Sequence, residues 1–340
     1  MDFLTNYGLF LAQAVTIVVA IVVVLVAIVG MSTKPKGEGG HLEITNLSEG
    51  IKDSIDEIKQ TILSKEQYKA LTKEHKKQAK AKKTTKEQPE SKAYVIDFNG
   101  SMDASQVEGL RREITAVIQV ATPEDEVIVR LESPGGVVHG YGLAASQLKR
   151  ITCRDIPLTI TVDKVAASGG YMMACIANKI VSAPFAIIGS IGVIAQLPNF
   201  NKVLKKNDID FEQITAGQYK RTLTMFGENS DQDREKFQTE IDEVHALFKQ
   251  HVASNRPQLD MDKVATGETW YGEQAIGLGL VDELLTSDDY LLAANKDKTI
   301  YKIKYTVPKT LSQKLGKAAS TSIENSLFSL WSRMSNWRGL

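Results

Sequence analysis

The chain has 340 residues with 43% hydrophobic side chains, and its 41 Lys and Arg balance 41 Asp and Glu to a formal net charge of zero. That is apolar material enough for a sizeable core, and no whole-protein field would recruit nucleic acid or an anionic surface; such binding would need a local patch. Cys153 and Cys175 lie in or beside apolar-periodic helices and read as two buried thiols, not as a disulfide or a metal site, so no metal and no cofactor is expected.

Residues 9–31 carry no charge and are dominated by Val, Ile, Ala and Leu, enough to cross a bilayer as one helix. The run exceeds a signal-peptide core and lacks a small-x-small exit before Lys34, which predicts an uncleaved anchor over 1–31. Lys34 and Lys36 follow the run while only Asp2 precedes it, so the positive-inside rule places the bulk of the chain in the cytoplasm. Over 42–63, Leu47, Ile51, Ile55, Ile58 and Ile62 recur with the period of an amphipathic helix, to be packed on a partner helix or the main domain. Residues 64–92 are Lys-rich and read as a solvated linker or frayed helix; attraction to anionic headgroups beside the anchor is the functional alternative.

A folded α/β domain is predicted over 93–300, with strands at 93–98, 126–131, 158–162 and 179–182 alternating with helices at 104–120, 138–151 and 168–176. Repeated strand–helix units imply a largely parallel sheet covered by helices. Further on, the pattern predicts strands near 192–196 and 211–215 and a helix near 200–206. A long amphipathic helix follows over 231–254, then a helix closing on a glycine turn within 272–285. The tail, 301–340, ends with Phe328, Leu330, Trp331 and Trp337 beside Arg333 and Arg338, which suits an interfacial helix or an intersubunit contact.

Two glycine-bearing turns stand out. Ser133-Pro134-Gly135-Gly136 sits between a strand and a helix, where backbone N–H groups can approach a ligand closely; an ordinary strand-to-helix turn is the plainer reading. In Val165-Ala166-Ala167-Ser168-Gly169-Gly170-Tyr171, small residues flank a serine that can occupy a tight elbow, with the Gly169 N–H placed to stabilise an oxyanion; helix-to-sheet packing of small residues is the alternative. A nucleophilic serine needs a base, and among the histidines only His139 lies near these turns, where it reads more simply as a polar residue in a first helical turn. A lysine serves instead when its surroundings keep it neutral. Lys220, after a predicted strand and Gly217, suits that role better than Lys202, Lys205 or Lys206 on a polar helix, although a solvated loop lysine reads equally well from spacing alone.

Three segments in order, SPGG at 133–136, AASGGYMMA at 166–174, and GSIGV at 189–193 with GQYKRTLTMFGE at 217–228, resemble peptidase family S49 over nearly the whole chain. The resemblance implies a ClpP/crotonase-like domain behind an N-terminal transmembrane helix and a membrane-anchored serine endopeptidase. Ser168 then matches the nucleophile, Lys220 the general base, Ser190 the residue whose hydroxyl orients the lysine amine, and Gly136 and Gly169 the oxyanion donors. It also implies a homo-oligomeric ring or dome, peptide or protein substrates such as signal-peptide remnants or misfolded envelope proteins, and a periplasmic domain, against the charge bias at the anchor. A crotonase-type acyl-CoA enzyme shares the fold but gives Ser168 and Lys220 no role. A membrane-tethered scaffold, held by the 47–62 stripe and the tail, is the non-enzymatic alternative.

Overall fold

The computed structural model describes residues 6–17, 20, 39–71, 73 and 91–308. The chain divides into two units, 1–41 with 306–340, and 42–305. The predicted anchor belongs to the first. Only 9–17 and 20 of its apolar run are described, in helical conformation, and no helix among the described residues is long and apolar enough to cross a membrane. Most of the Lys-rich segment and the Trp-bearing tail lie outside the described residues.

The second unit is built on a seven-stranded sheet in the order β1-β10-β2-β3-β4-β6-β9. Its strands are β1 (His41–Asn46), β2 (Lys92–Asn99), β3 (Glu126–Glu132), β4 (Leu158–Val162), β6 (Lys179–Ser182), β9 (Glu283–Leu284) and β10 (Thr299–Thr306). Every pairing from β10 to β9 is parallel. All of β4 is buried and β3 nearly so, as central strands of a covered parallel sheet must be, and Val, Ile and Leu dominate them, with Arg130, Thr159 and Thr161 interspersed.

Alternation along β2, β3 and β4 sends Ile96, Phe98, Val129, Leu131 and Ile160 into the main core. There they meet α2 (Val107–Val117), α3 (Val138–Thr152) and α4 (Gly169–Ala174). The opposite face is covered by a smaller cluster in which Val95, Ile128 and Ile300 meet Leu291 of α9 (Ser287–Ala294). A second sheet of three strands, β5 (Val165–Ala167), β7 (Ile187–Gly189) and β8 (Thr269–Tyr271), joins the first where Ser133 bridges Ala166. The long α6 (Asp231–Asn255) starts on a reciprocal cap between Ser230 and Asp233 and buries Phe248 and Val252.

Several expectations are corrected. Residues 41–46 form β1, and the helix α1 (Leu47–Ile62) begins only after Asn46, whose side chain accepts from the Glu49 N–H. Its apolar stripe is packed at one end only: Leu47 lies against the smaller core cluster of the domain, while no residue of α1 is fully buried and Ile55, Ile58 and Ile62 are exposed. Cys175 is buried as expected, but Cys153 is exposed, because it caps α3 at the surface. Neither 192–196 nor 211–215 is a strand. β-prone residues form a strand only where a partner edge exists, and β7 forms earlier, between β5 and β8. The helix expected within 272–285 is the short α8 (Gly272–Gly277), which gives way to β9.

Candidate active site

Ser168 follows β5 and Ser190 follows β7, and these strands pair in parallel with Ala167 opposite Gly189. The two serines therefore leave the sheet side by side. Both have left-handed backbones, φ 52° at Ser168 and 53° at Ser190. For a residue bearing a Cβ, such a conformation costs on the order of 1–3 kcal/mol and persists only where surroundings impose it. At Ser168 they do: its N–H donates to Gly189 O at 2.8 Å and its carbonyl accepts from Met172 N–H at 2.9 Å, pinning a sharp strand-to-helix elbow. The hydroxyl does not cap α4, the helix it opens. At Ser190 the N–H donates to Glu268 O at 2.6 Å and the carbonyl accepts from Gly192 N–H at 2.9 Å.

The turn at 133–136 lies directly on this elbow. Gly135 has φ 90°, and a Cβ there would stand 2.7 Å from Gly169 N and 2.8 Å from Ser168 Cβ. At Gly136 a Cβ would fall 2.0 Å from Met102 O, so the turn is gripped between the elbow and the loop after β2. The Ser133 N–H donates to Val165 O at 2.8 Å and Ser133 O accepts from Ala167 N–H at 3.0 Å, which locks turn to elbow. Gly169, first in its helix, has no intrahelical acceptor for its N–H, and the Gly136 N–H has no acceptor among the described residues. Two backbone donors are thus left unused beside one serine hydroxyl, which is the composition of an oxyanion hole.

Lys220 is placed differently. It lies on an irregular arm between α5 (Asn201–Lys206) and α6, and it is exposed. Its N–H donates to Gly217 O at 3.2 Å, and among the described residues no hydrogen bond joins its amine to Ser168 or Ser190. The structure therefore brings together Gly136, Ser168, Gly169 and Ser190, and leaves Lys220 apart within the single chain. Among the described residues no histidine ring hydrogen-bonds Ser168 or Ser190: His139 is exposed at the start of α3, while the His245 and His251 rings, both on α6, meet Ile191 O at 3.2 Å and Met172 O at 3.0 Å.

The sequence analysis passed over Tyr141 and treated Ser133 only as part of a turn. Ser133 and Tyr141 are fully buried, and their hydroxyl oxygens are 2.5 Å apart behind the turn. The one available signal was a lone tyrosine among the small residues of the helix start VHGYGLAAS.

Residues 2–148 match the N-terminal model of peptidase family S49, and residues 151–301 match the peptidase family S49 model itself. The chain belongs to peptidase family S49. It is 49% identical over 335 residues to a Haemophilus influenzae protein named Probable protease SohB, covering 95% of each chain. A Buchnera aphidicola protein of the same name is 44% identical over 347 residues, with 97% of this chain and 98% of that one covered. Among solved structures, a 1510-N membrane-bound stomatin-specific protease in complex with a substrate peptide superposes with a TM-score of 0.43 at 15% identity, over 69% of this chain and 100% of that one, too distant a likeness to carry any residue across. Membership of S49 makes the protein a serine peptidase.

Proposed function

We propose that the protein is a membrane-anchored serine endopeptidase that works through an acyl-enzyme on Ser168, with Lys220 as general base. Ser168 Oγ attacks the scissile carbonyl while neutral Lys220 accepts its proton. The resulting oxyanion rests on the Gly136 and Gly169 N–H groups, each such donor lowering the barrier by about 3 kcal/mol. Lys220 then gives the proton to the leaving amine, and a water, deprotonated by the same lysine, releases the acid product. Ser190 Oγ orients the amine. The observation that carries the reading is the side-by-side placement of Ser168 and Ser190, both held at positive φ, with the Ser133–Gly136 turn pressed on the elbow.

The exposure of Lys220 is part of the same reading. Its arm displays Phe211, Ile214 and Tyr219 to water, Ile214 at 94% exposure. An apolar surface of this kind is normally covered. A homo-oligomer in which a neighbouring copy packs on the arm gives the lysine the drier setting a neutral amine requires. Substrates are extended peptides, with signal-peptide remnants and misfolded envelope proteins as the candidate sources, reached from an anchor over 1–31 in the bacterial inner membrane.

Labelling of the full-length protein with a fluorophosphonate serine probe across pH tests the assignment. The expected result is labelling of the wild type that rises with pH and is absent in Ser168→Ala and Lys220→Ala. Labelling that persists in Ser168→Ala would remove Ser168 from the mechanism.

A further inference from the structure

Behind the turn runs a chain of four groups whose hydrogen-bond directions are fixed by what each can donate. The Gly135 N–H can only donate, and does so to Ser133 Oγ at 3.1 Å. At the other end Ser101 O can only accept, and takes the Tyr141 hydroxyl proton at 2.9 Å. The 2.5 Å contact between the two hydroxyls must then run from Ser133 Oγ–H to the Tyr141 oxygen. Each hydroxyl donates once and accepts once, so the relay is complete, and it lies in the interior where a satisfied network is most specific and a broken one most costly.

Both ends of this relay meet the unused N–H groups. At one end Gly135 is held by Ser133 Oγ, and the next residue is Gly136. At the other, the 100–104 loop seats Gly136, since the Met102 carbonyl accepts the Val137 N–H at 2.9 Å and lies where a Gly136 Cβ would be. The same tyrosine reaches the second donor with its ring: a Cβ on Gly169 would stand 2.4 Å from Tyr141 Cγ, so Gly169 is packed against the ring with no room for a side chain. Edge-on packing with Phe98, at a centroid separation of 6.4 Å and an interplanar angle of 75°, fixes the ring in turn. Gly100 completes the fit, because any Cβ there would lie 2.4 Å from the Tyr141 hydroxyl.

We infer that Tyr141 is the positioning residue that sets both oxyanion donors: its hydroxyl, through Ser133, aims the Gly136 N–H, and its ring face sets the height of the Gly169 N–H. The inference rests on the assignment of those two glycines under Proposed function. Burial alone would explain an aromatic residue here, but it does not require a hydroxyl that carries a one-way relay from the turn to Ser101 O.

The test compares wild type, Tyr141→Phe, Ser133→Ala, the double variant and Ser168→Ala in the full-length protein, using a fluorogenic peptide amide and the aldehyde of the same peptide. The aldehyde forms a hemiacetal whose oxygen occupies the oxyanion position, so its affinity reads the donors directly. For Tyr141→Phe we expect kcat to fall about tenfold or more with KM little changed, since a misaimed donor forfeits part of the 10²–10³ such a group provides. The aldehyde Ki should rise by the same factor, and the double variant should be no worse than the poorer single one, since both act on one relay. Ser133→Ala gives the same readout should Tyr141→Phe fail to fold. A folded Tyr141→Phe or Ser133→Ala with unchanged kcat and aldehyde Ki would overturn the inference while leaving the Ser168 assignment standing. Activity persisting in Ser168→Ala would overturn that assignment and the inference with it.

Discussion

Around Ser168 the chain meets itself on every side, whereas from residue 207 onward it runs out into solvent. The elbow is fixed by the β5–β7 pairing, by the bridge between Ser133 and Ala166, and by glycine contacts so close that a methyl group would collide. The arm from 207 to 230 has no helix and no strand, and Lys220 rides on it. A nucleophile and its oxyanion donors need geometry held to fractions of an ångström, which packing within one chain provides. A base need only arrive with its proton removed, and it can be delivered by a segment that is ordered from outside.

The largest expected effect cuts across that contrast. Ser168→Ala and Lys220→Ala should each lower kcat/KM by about four orders of magnitude or more, as removal of a nucleophile or its base does elsewhere. Their stabilities should differ from each other very little. Replacing exposed Lys220 should leave the unfolding free energy within about half a kcal/mol of wild type by scanning calorimetry. A fully active Lys220→Ala would assign the base to another group and break the comparison.

Gly135→Ala probes the packed side. It forces a Cβ to φ 90° and to within 2.8 Å of Ser168 Cβ, so stability and activity should fall together. Strain of roughly 1–3 kcal/mol corresponds to a Tm loss of about 2–12 °C for a unit of this size. A Tm equal to wild type would mean that the turn is not gripped as described.

Ile214→Asp sharpens the exposed side. At 94% exposure Ile214 contributes little to the single chain, so Tm should hold, while sedimentation velocity should show a smaller assembly and peptidase activity should drop with it. A variant that keeps its assembly and its activity would remove the neighbouring copy from the account of Lys220.

What the sequence made legible follows the same division. Strands 158–162 and 179–182 were read to the residue and 93–98 within one, because each is a short run rich in β-branched or aromatic residues bounded by turn residues. The glycine-flanked Ser168 and the Ser133–Gly136 turn were visible as motifs, since close backbone approach admits no other residue type. Residues 41–46 and 211–215 were misread because local pattern does not reveal whether a partner edge is present: β1 finds one beside β10, and 211–215 finds none. Tyr141 was illegible for a different reason. Its importance lies in contacts with Ser101, Ser133 and Gly169, which only the folded chain assembles.

The smallest effect expected lies far from the site, where the helix α9 and the turn before β10 are tied to the sheet. Glu126, at 5% exposure, accepts from Lys298 Nζ at 2.5 Å, Thr159 Oγ1 at 2.6 Å and Tyr290 OH at 2.7 Å. Burial pushes its carboxyl up, but the bonds from Lys298, Thr159 and Tyr290 outweigh it and hold the group below its ordinary value. Such a group stabilises the fold while ionised, so its contribution is complete above the ordinary glutamate range and is lost as pH falls through the lowered value. Glu113 behaves oppositely, because burial, only partly offset by the Tyr305 N–H, raises its carboxyl. Its ionisation costs stability as pH rises through that raised value. Glu126→Gln should therefore flatten the acid limb of a Tm-against-pH curve, and Glu113→Gln the limb just above the ordinary glutamate range, each by about 1–2 kcal/mol at most. Both should leave the pH dependence of Ser168 labelling unchanged, because that dependence belongs to the base. A labelling profile that moves with Glu126→Gln would mean that the sheet and the arm are coupled, and that the division between packed nucleophile and delivered base is less complete than the single chain suggests.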